Sequence, residues 1–297
     1  MTLSKANRQR MLAYGLLLPA FIVCAVFIVY PLGMTVVNSF KPGAGMNLSK
    51  NAKIEFNATA YGKILKDMET WKVLGKTFVY LFGSLIPSYL LGLGTALMLN
   101  KKFAGRRTFR LLTILPWAIP GVVASIMFMW MFDSTYGVIN HLLMKIGLID
   151  AYKPWFVDRQ LVMFSVILPT IWKGYPFFTI TLLAALQAIP IELYEAADVD
   201  GCRGWSKFIH ITWPEISEAS VLALILNGLW SFRVFDIIYP ITKGGPGTAS
   251  TTIAIKIYNE AFQYFDINKA SVLGVVSVVV CGIICIIFYP YMNQEGK

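Results

Sequence analysis

PIELYEAADVDGCRGWSKFIHITWP, residues 190–214, is the one long polar stretch between two apolar blocks that still reads as ordered structure. Glu192, Glu195, Asp198 and Asp200 interleave with Leu193, Ala196, Ala197 and Val199 at helical spacing, which predicts a short amphipathic helix. Gly201 is a natural stop, because glycine takes the left-handed backbone of a helix end without strain. Trp205, Phe208, Ile209 and Trp213 give a second short helix an apolar face. Pro190 and Pro214 frame the pair, since proline interrupts a helix. The expected product is a helix–turn–helix on one side of a membrane, shaped to dock with something.

Composition requires the membrane. The 297 residues are 57% hydrophobic and 14% charged, whereas a soluble domain is nearer a quarter charged. The formal charge of +10 would suggest nucleic acid in a soluble protein; here lysines and arginines flanking spans account for much of it. Cys24, Cys202, Cys281 and Cys285 lack metal-type spacing and form no disulfide framework. The two histidines, His141 and His210, offer too few ligands for a zinc or di-iron centre to be expected.

Six membrane spans are expected, at about residues 12–40, 77–99, 111–132, 161–188, 219–241 and 270–292, each long enough to cross a bilayer core. Residues 1–11 form a basic cytoplasmic segment leading into an uncleaved first span, and 293–297 a cytoplasmic tail. Orientation rests on the short loop after the second span, where Lys101, Lys102, Arg106, Arg107 and Arg110 occur with no acid. Such a loop belongs in the cytoplasm, and alternation then puts both termini and residues 190–214 on that side. Lys41–Lys76 is an outer loop ending in an interfacial helix, and Asp133–Gln160 and Thr242–Lys269 are further outer loops. Pro116 and Pro120 lie within the third span, where neighbours must satisfy the carbonyls they free. Gly75-Lys76-Thr77 looks like the tail of a phosphate-binding loop, but Thr70 stands where that motif needs its first glycine.

The docking stretch resembles the EAA loop of the inner-membrane subunits of ATP-binding-cassette importers. The matching residues are Glu195-Ala196-Ala197, Asp200-Gly201, Phe208, Ile211 and Pro214. Ile171-Trp172-Lys173-Gly174 and residues 183–190 are similar to the approach to that loop in carbohydrate permeases. Phe232-Arg233-Val234-Phe235-Asp236 and Gly244-Gly245-Pro246 are similar to the segment after it in the maltose-permease branch. Cys202 and Trp213 depart from the usual residues there, but both are apolar. The resemblance implies an all-α membrane protein of the type I importer fold, with six transmembrane helices and a cytoplasmic EAA coupling helix. It implies the permease of a binding-protein-dependent carbohydrate importer, multi-pass in the bacterial inner membrane, for a neutral di- or oligosaccharide first and an acidic one second. Its partners would be a second homologous permease, two ATPase subunits seated on the EAA loops, an extracytoplasmic sugar-binding protein and lipid, with no nucleic acid. This chain would bind no cofactor, ATP and magnesium being held by the ATPase, and would not itself be an enzyme. The coupling residues would be Glu195, Ala196, Ala197, Asp200, Gly201, Phe208 and Pro214.

Intramembrane ionisable residues are costly and therefore functional candidates. Lys173, Arg233 and Asp236 qualify. Arg233 and Asp236, three apart on a helix face, would either pair with each other or touch substrate. Lys173 in mid-span would face a wet cavity. The maltose permease resembles this chain without gaps here. Its sugar-contacting positions fall on Thr170, Lys173, Gly174 and Phe177 in the fourth span and Asn227, Trp230 and Ser231 in the fifth. Aromatic faces suit the apolar side of a sugar ring, and Asn, Ser and Thr exchange hydrogen bonds with hydroxyls. Taken singly, each residue could equally serve helix packing. The rival reading is an ion-gradient-driven secondary transporter, which would need coupling acids; Asp236 is the lone intramembrane candidate. A membrane enzyme finds no His, Cys or acid cluster to support it.

Overall fold

The computed structural model describes residues 5–42 and 56–292. The N-terminal residues 1–4, part of the first outer loop (43–55) and the expected cytoplasmic tail 293–297 lie outside the described residues. Among the described residues every element is a helix or a turn. Helix α1 runs through Lys5–Cys24, a wide π-helical turn Ala25–Val29 and Tyr30–Ser39. Then follow α2 (Thr59–Lys66), α3 (Met68–Asn100), α4 (Arg106–Ala118), α5 (Gly121–Met131), α6 (Val138–Lys145), α7 (Val162–Ala188) and α8 (Ile191–Val199). Helix α9 spans Trp205–Phe232. It is followed by α10 (Ile238–Thr242), α11 (Ile253–Tyr258, continued by a π-turn Asn259–Gln263) and α12 (Ile267–Met292). Among the described residues, five helices are long and apolar enough to cross a membrane. The pair α4–α5, bent by 97°, makes a sixth span if taken as one.

Contacts divide the chain into two compact units, Met1–Met68 with Ile257–Val279, and Glu69–Lys256 with Val280–Lys297. In the first, the start of α12 is pinned to the end of α1: Asn268 Nδ2 donates to the carbonyls of Asn38 and Ser39 at 2.8 and 3.0 Å. The buried Ser39 hydroxyl is hydrogen-bonded to that of Tyr61 on α2 at 2.7 Å. Lys269 and the buried Glu260 form an ion pair at 2.6 Å.

The second unit is built on α3, α7 and α9. Lipid tails are as apolar as leucine, so helices in a bilayer associate through close packing and hydrogen bonds. The residues fit that rule. Ser84, Ser88 and Gly92 recur every fourth residue along α3 and are buried. The hydroxyls of Thr77 and Ser84 turn back onto carbonyls of their own helix, Val73 and Tyr80, each at 2.8 Å. Gly92 meets α7 so closely that a Cβ would fall 2.3 Å from Phe178 Cβ and 2.9 Å from the Tyr175 carbonyl. Tyr89, Phe178, Leu182 and Ile216 complete this core. Gly92→Ala should therefore push α3 from α7 and destabilise the fold by about 1–3 kcal/mol, read as a lower midpoint when the purified protein is unfolded in denaturing detergent; an unshifted midpoint would contradict the crossing.

Three elements differ from the sequence expectation, each for a visible reason. The second membrane helix begins at Met68 rather than residue 77, taking in Met68 and Trp71 from the segment read as interfacial, while Tyr61, Ile64 and Leu65 of that segment form the separate α2. The third span is broken: Pro120 forces Ile119 into an extended backbone (φ −75°, ψ 130°) and cannot donate to the carbonyl of Pro116. The fifth span stops at Phe232, with Arg233 through Ile237 in a turn before α10. Arg233 and Asp236 thus do not share a helix face. At its other end α9 runs through Pro214 without interruption. Proline lacks an N–H, and the π-turn Phe208–Thr212 places Pro214 in the first turn of the following α-helical segment.

Candidate functional site

The first candidate is α8 with its turn. Pro190 caps the helix from an extended backbone (φ −58°, ψ 134°). At the other end Gly201 is left-handed, with φ +75°. The Cys202 N–H reaches back to the Ala197 carbonyl at 2.8 Å and the Gly201 N–H to Asp198 at 3.1 Å. This is a Schellman closure, which satisfies carbonyls that a helix end leaves orphaned. Lys207 on α9 pairs with Asp198 at 2.5 Å, and the Tyr194 hydroxyl meets Thr212 at 3.0 Å, so α8 is held against the start of α9. Of the expected coupling residues, Ala197 is buried, whereas Glu195, Ala196, Asp200, Gly201 and Pro214 are exposed and Phe208 is half-buried. Val199 is 89% exposed and Trp205 71% exposed, the indole stacked on Phe208 with centroids 5.1 Å apart. Acids and bare apolar side chains on one short helix outside the packed spans are what a docking surface presents.

The basic loop joins this element. Arg106 Nε donates to the Leu99 carbonyl at 2.5 Å. With its amide oxygen turned toward them, Gln187 accepts from Arg106 at 2.8 Å and Arg110 at 3.0 Å. The end of α7, three residues before Pro190, is thereby tied to the arginine-rich turn. A hollow of about 560 Å³ opens between Asn100, Lys102, Arg106, Gln187, Ile191 and Tyr194.

The second candidate lies where α3, α7 and α9 meet. The rings of Phe177 and Trp230 stand edge to face, 5.1 Å apart, and Trp230 is half exposed. Asn227 and Ser231 are buried one turn apart, Ser231 Oγ lying 3.4 Å from Asn227 Oδ1. Gly174 admits the close approach of α3: a Cβ there would lie 3.2 Å from Ser88 Oγ and 3.9 Å from Asn227 Nδ2. Five of the seven expected residues thus gather in one place. The other two point elsewhere. Thr170 is buried with its hydroxyl on that of Tyr80. Lys173 extends to α4, where Nζ donates to the Trp117 carbonyl at 3.3 Å. Reading the sequence missed Ser88, Tyr80 and Trp117. The four-residue recurrence Ser84–Ser88–Gly92 was the available signal for the first. Among the described residues no group of three His, Cys, Asp or Glu could hold a metal ion.

Comparison with known proteins gives a consistent set of likenesses. The family model described as binding-protein-dependent transport system inner membrane component matches residues 88–295. The sulfoquinovosyl glycerol transport system permease protein SmoG of Agrobacterium fabrum is 35% identical, over 90% of this chain and 86% of its own. The trehalose/maltose transport system permease protein MalF of Thermococcus litoralis is 33% identical, over 92% and 89%. In structure, the chain is similar to one from a bacterial ABC transporter involved in the import of the acidic polysaccharide alginate. The TM-score is 0.82 at 23% identity, over 99% of each chain.

Proposed function

The chain belongs to the family of binding-protein-dependent transport system inner membrane components, and we propose from that premise that it is the permease subunit of a carbohydrate importer driven by a separate ATPase. The observation that carries the reading is α8, an exposed acidic and apolar helix with a left-handed glycine closure, set between two packed spans. Such a helix can pass a push from a bound partner into α7 and α9, which it joins directly. The partners we propose are two ATPase subunits, one on this loop and one on the loop of a second, homologous permease, together with an extracytoplasmic sugar-binding protein. ATP and magnesium would be bound by the ATPase.

The relatives named for sulfoquinovosyl glycerol and for trehalose/maltose support a sugar as the cargo. Gly174, Phe177, Asn227, Trp230 and Ser231 suit one chemically: a ring face, two polar side chains and a gap for close approach. Thr170 and Lys173 border that set. A neutral di- or oligosaccharide is the first choice and an acidic one the second. In vesicles carrying the whole transporter, uptake should need ATP on the ATPase side and survive an ionophore that collapses ion gradients. Uptake that ignores ATP and stops with the ionophore would replace this reading with a gradient-driven transporter.

Both termini and the loop 100–110 are proposed to face the cytoplasm. In intact cells, with the native cysteines removed, Ala104→Cys should react only with membrane-permeant thiol reagents and Thr248→Cys with impermeant ones as well. Both positions are exposed. The opposite labelling would put α8 outside, beyond reach of any ATPase.

A further inference from the structure

The bend between α4 and α5 leaves two helix ends facing each other in the third span. In an unbroken helix the Gly121 N–H would donate to the Trp117 carbonyl, four residues earlier. The 97° bend at Pro120 takes that bond away. It exposes a carbonyl carrying partial negative charge at the end of α4 and N–H groups carrying partial positive charge at the start of α5. With no water in a bilayer core, groups freed this way need partners from neighbouring elements.

Two side chains from elsewhere in the same unit meet those ends, each with the complementary sign. Lys173, on α7, donates from Nζ to the Trp117 carbonyl, the very acceptor that Gly121 has vacated. Asp236, in the turn between α9 and α10, packs its carboxylate against the Cα of Gly121, the first residue of α5. The fit is so close that a Cβ on Gly121 would fall 1.7 Å from Asp236 Oδ2 and 2.6 Å from its Cγ. Packing of α5 against α7 and of α10 against α5 brings the two side chains to the break. The turn carrying Asp236 is itself a break, since α9 ends at Phe232.

We propose that Lys173 and Asp236 are positioning residues that hold the two ends of the broken third span, the ammonium replacing a lost donor at the end of α4 and the carboxylate packed against Gly121 at the start of α5. Lys173 then acts on the permease's own backbone and sets no preference for a charged sugar. Gly121 is part of the device: it is the residue that lets a carboxylate reach the helix start. The bent span is thereby fastened to the two helices that carry Gly174, Phe177, Asn227, Trp230 and Ser231. Only the assay, not the geometry, rests on the reading of the chain as an importer subunit.

The test uses the full transporter in vesicles with its sugar-loaded binding protein. Lys173→Met should lower maximal uptake about tenfold or more, because a bond from a charged donor to an otherwise orphaned carbonyl is of the stronger kind. The half-saturating concentration of loaded binding protein should not move, and Lys173→Arg should restore the rate. Gly121→Ala should show the same defect as Asp236→Ala, and the double variant should be no worse than Asp236→Ala alone, since the second change removes what the first collides with. If Lys173→Met fails to accumulate in the membrane, accumulation restored by Lys173→Arg supports the role and failure of both contradicts it. A raised half-saturation in Lys173→Met, restricted to charged sugars, would return Lys173 to the substrate. Full additivity of the Gly121 and Asp236 changes would overturn the clamp. An unmodified transporter with no ATP-driven uptake would instead overturn the importer reading, leaving a melting-temperature comparison of the same variants to decide the clamp.

Discussion

Gly201→Val should abolish coupled transport while leaving the chain folded in the membrane. At φ +75° a valine is forced into left-handed backbone, at a cost of about 1–2 kcal/mol for an L-residue and more for a β-branched one. Space is not the obstacle, since nothing lies within 4 Å of where its Cβ would be. The strain is relieved by giving up the turn, and with it the Cys202–Ala197 and Gly201–Asp198 bonds that aim α8. The core of Tyr89, Phe178, Leu182 and Ile216 lies elsewhere, so insertion and accumulation should be near normal. Glu195→Lys should have the same outcome by another route. Glu195 is exposed, so its reversal costs folding little, yet it places a like or unmatched charge against whatever α8 docks with. Both variants should hydrolyse ATP without responding to loaded binding protein, and import no sugar. Normal uptake by both at normal expression would remove the coupling role from α8.

The second large effect is expected at Trp230. Its indole is half exposed and held edge to face by Phe177 at 5.1 Å, a rigid platform that loses little entropy on contact with a ligand. Trp230→Ala should reduce sugar-dependent uptake about tenfold to a hundredfold, the factor that roughly 1.4–2.8 kcal/mol of lost contact implies. Trp230→Phe should recover most of it. ATP hydrolysis in the absence of sugar should stay unchanged, which separates loss of the cargo site from loss of fold. Unaltered uptake by Trp230→Ala would move the sugar path away from the α7–α9 seam.

How much of this was legible beforehand depends on whether a residue acts through its own backbone or through a neighbour. Gly201 could be read directly, because a glycine after an amphipathic run has one favoured use and the structure has it left-handed. Pro120 was visible too, but its 97° bend was not. Proline removes a donor, but how far the chain turns depends on what packs around the break, and here Lys173 and Asp236 come to it from distant elements. The same blindness produced the mistaken shared face of Arg233 and Asp236: apolar composition continues past Phe232, whereas the helix does not. Pro214 was read as a stop but sits in a first turn, where its missing N–H costs nothing. The meeting of Phe177 with Trp230, and of Gly174 with Ser88, is a matter of helix crossing that no spacing within one span encodes.

The central claim is that α8 is the surface on which a separate ATPase pushes. Val199 tests it most directly, being 89% exposed at the end of that helix. In a transporter whose other cysteines have been removed, Val199→Cys should be captured by a short thiol cross-linker onto the ATPase subunit, in membranes and with a yield that changes when ATP is added. A Val199→Cys chain that transports normally, yet is cross-linked to no ATPase and is labelled in intact cells by an impermeant reagent, would contradict the account.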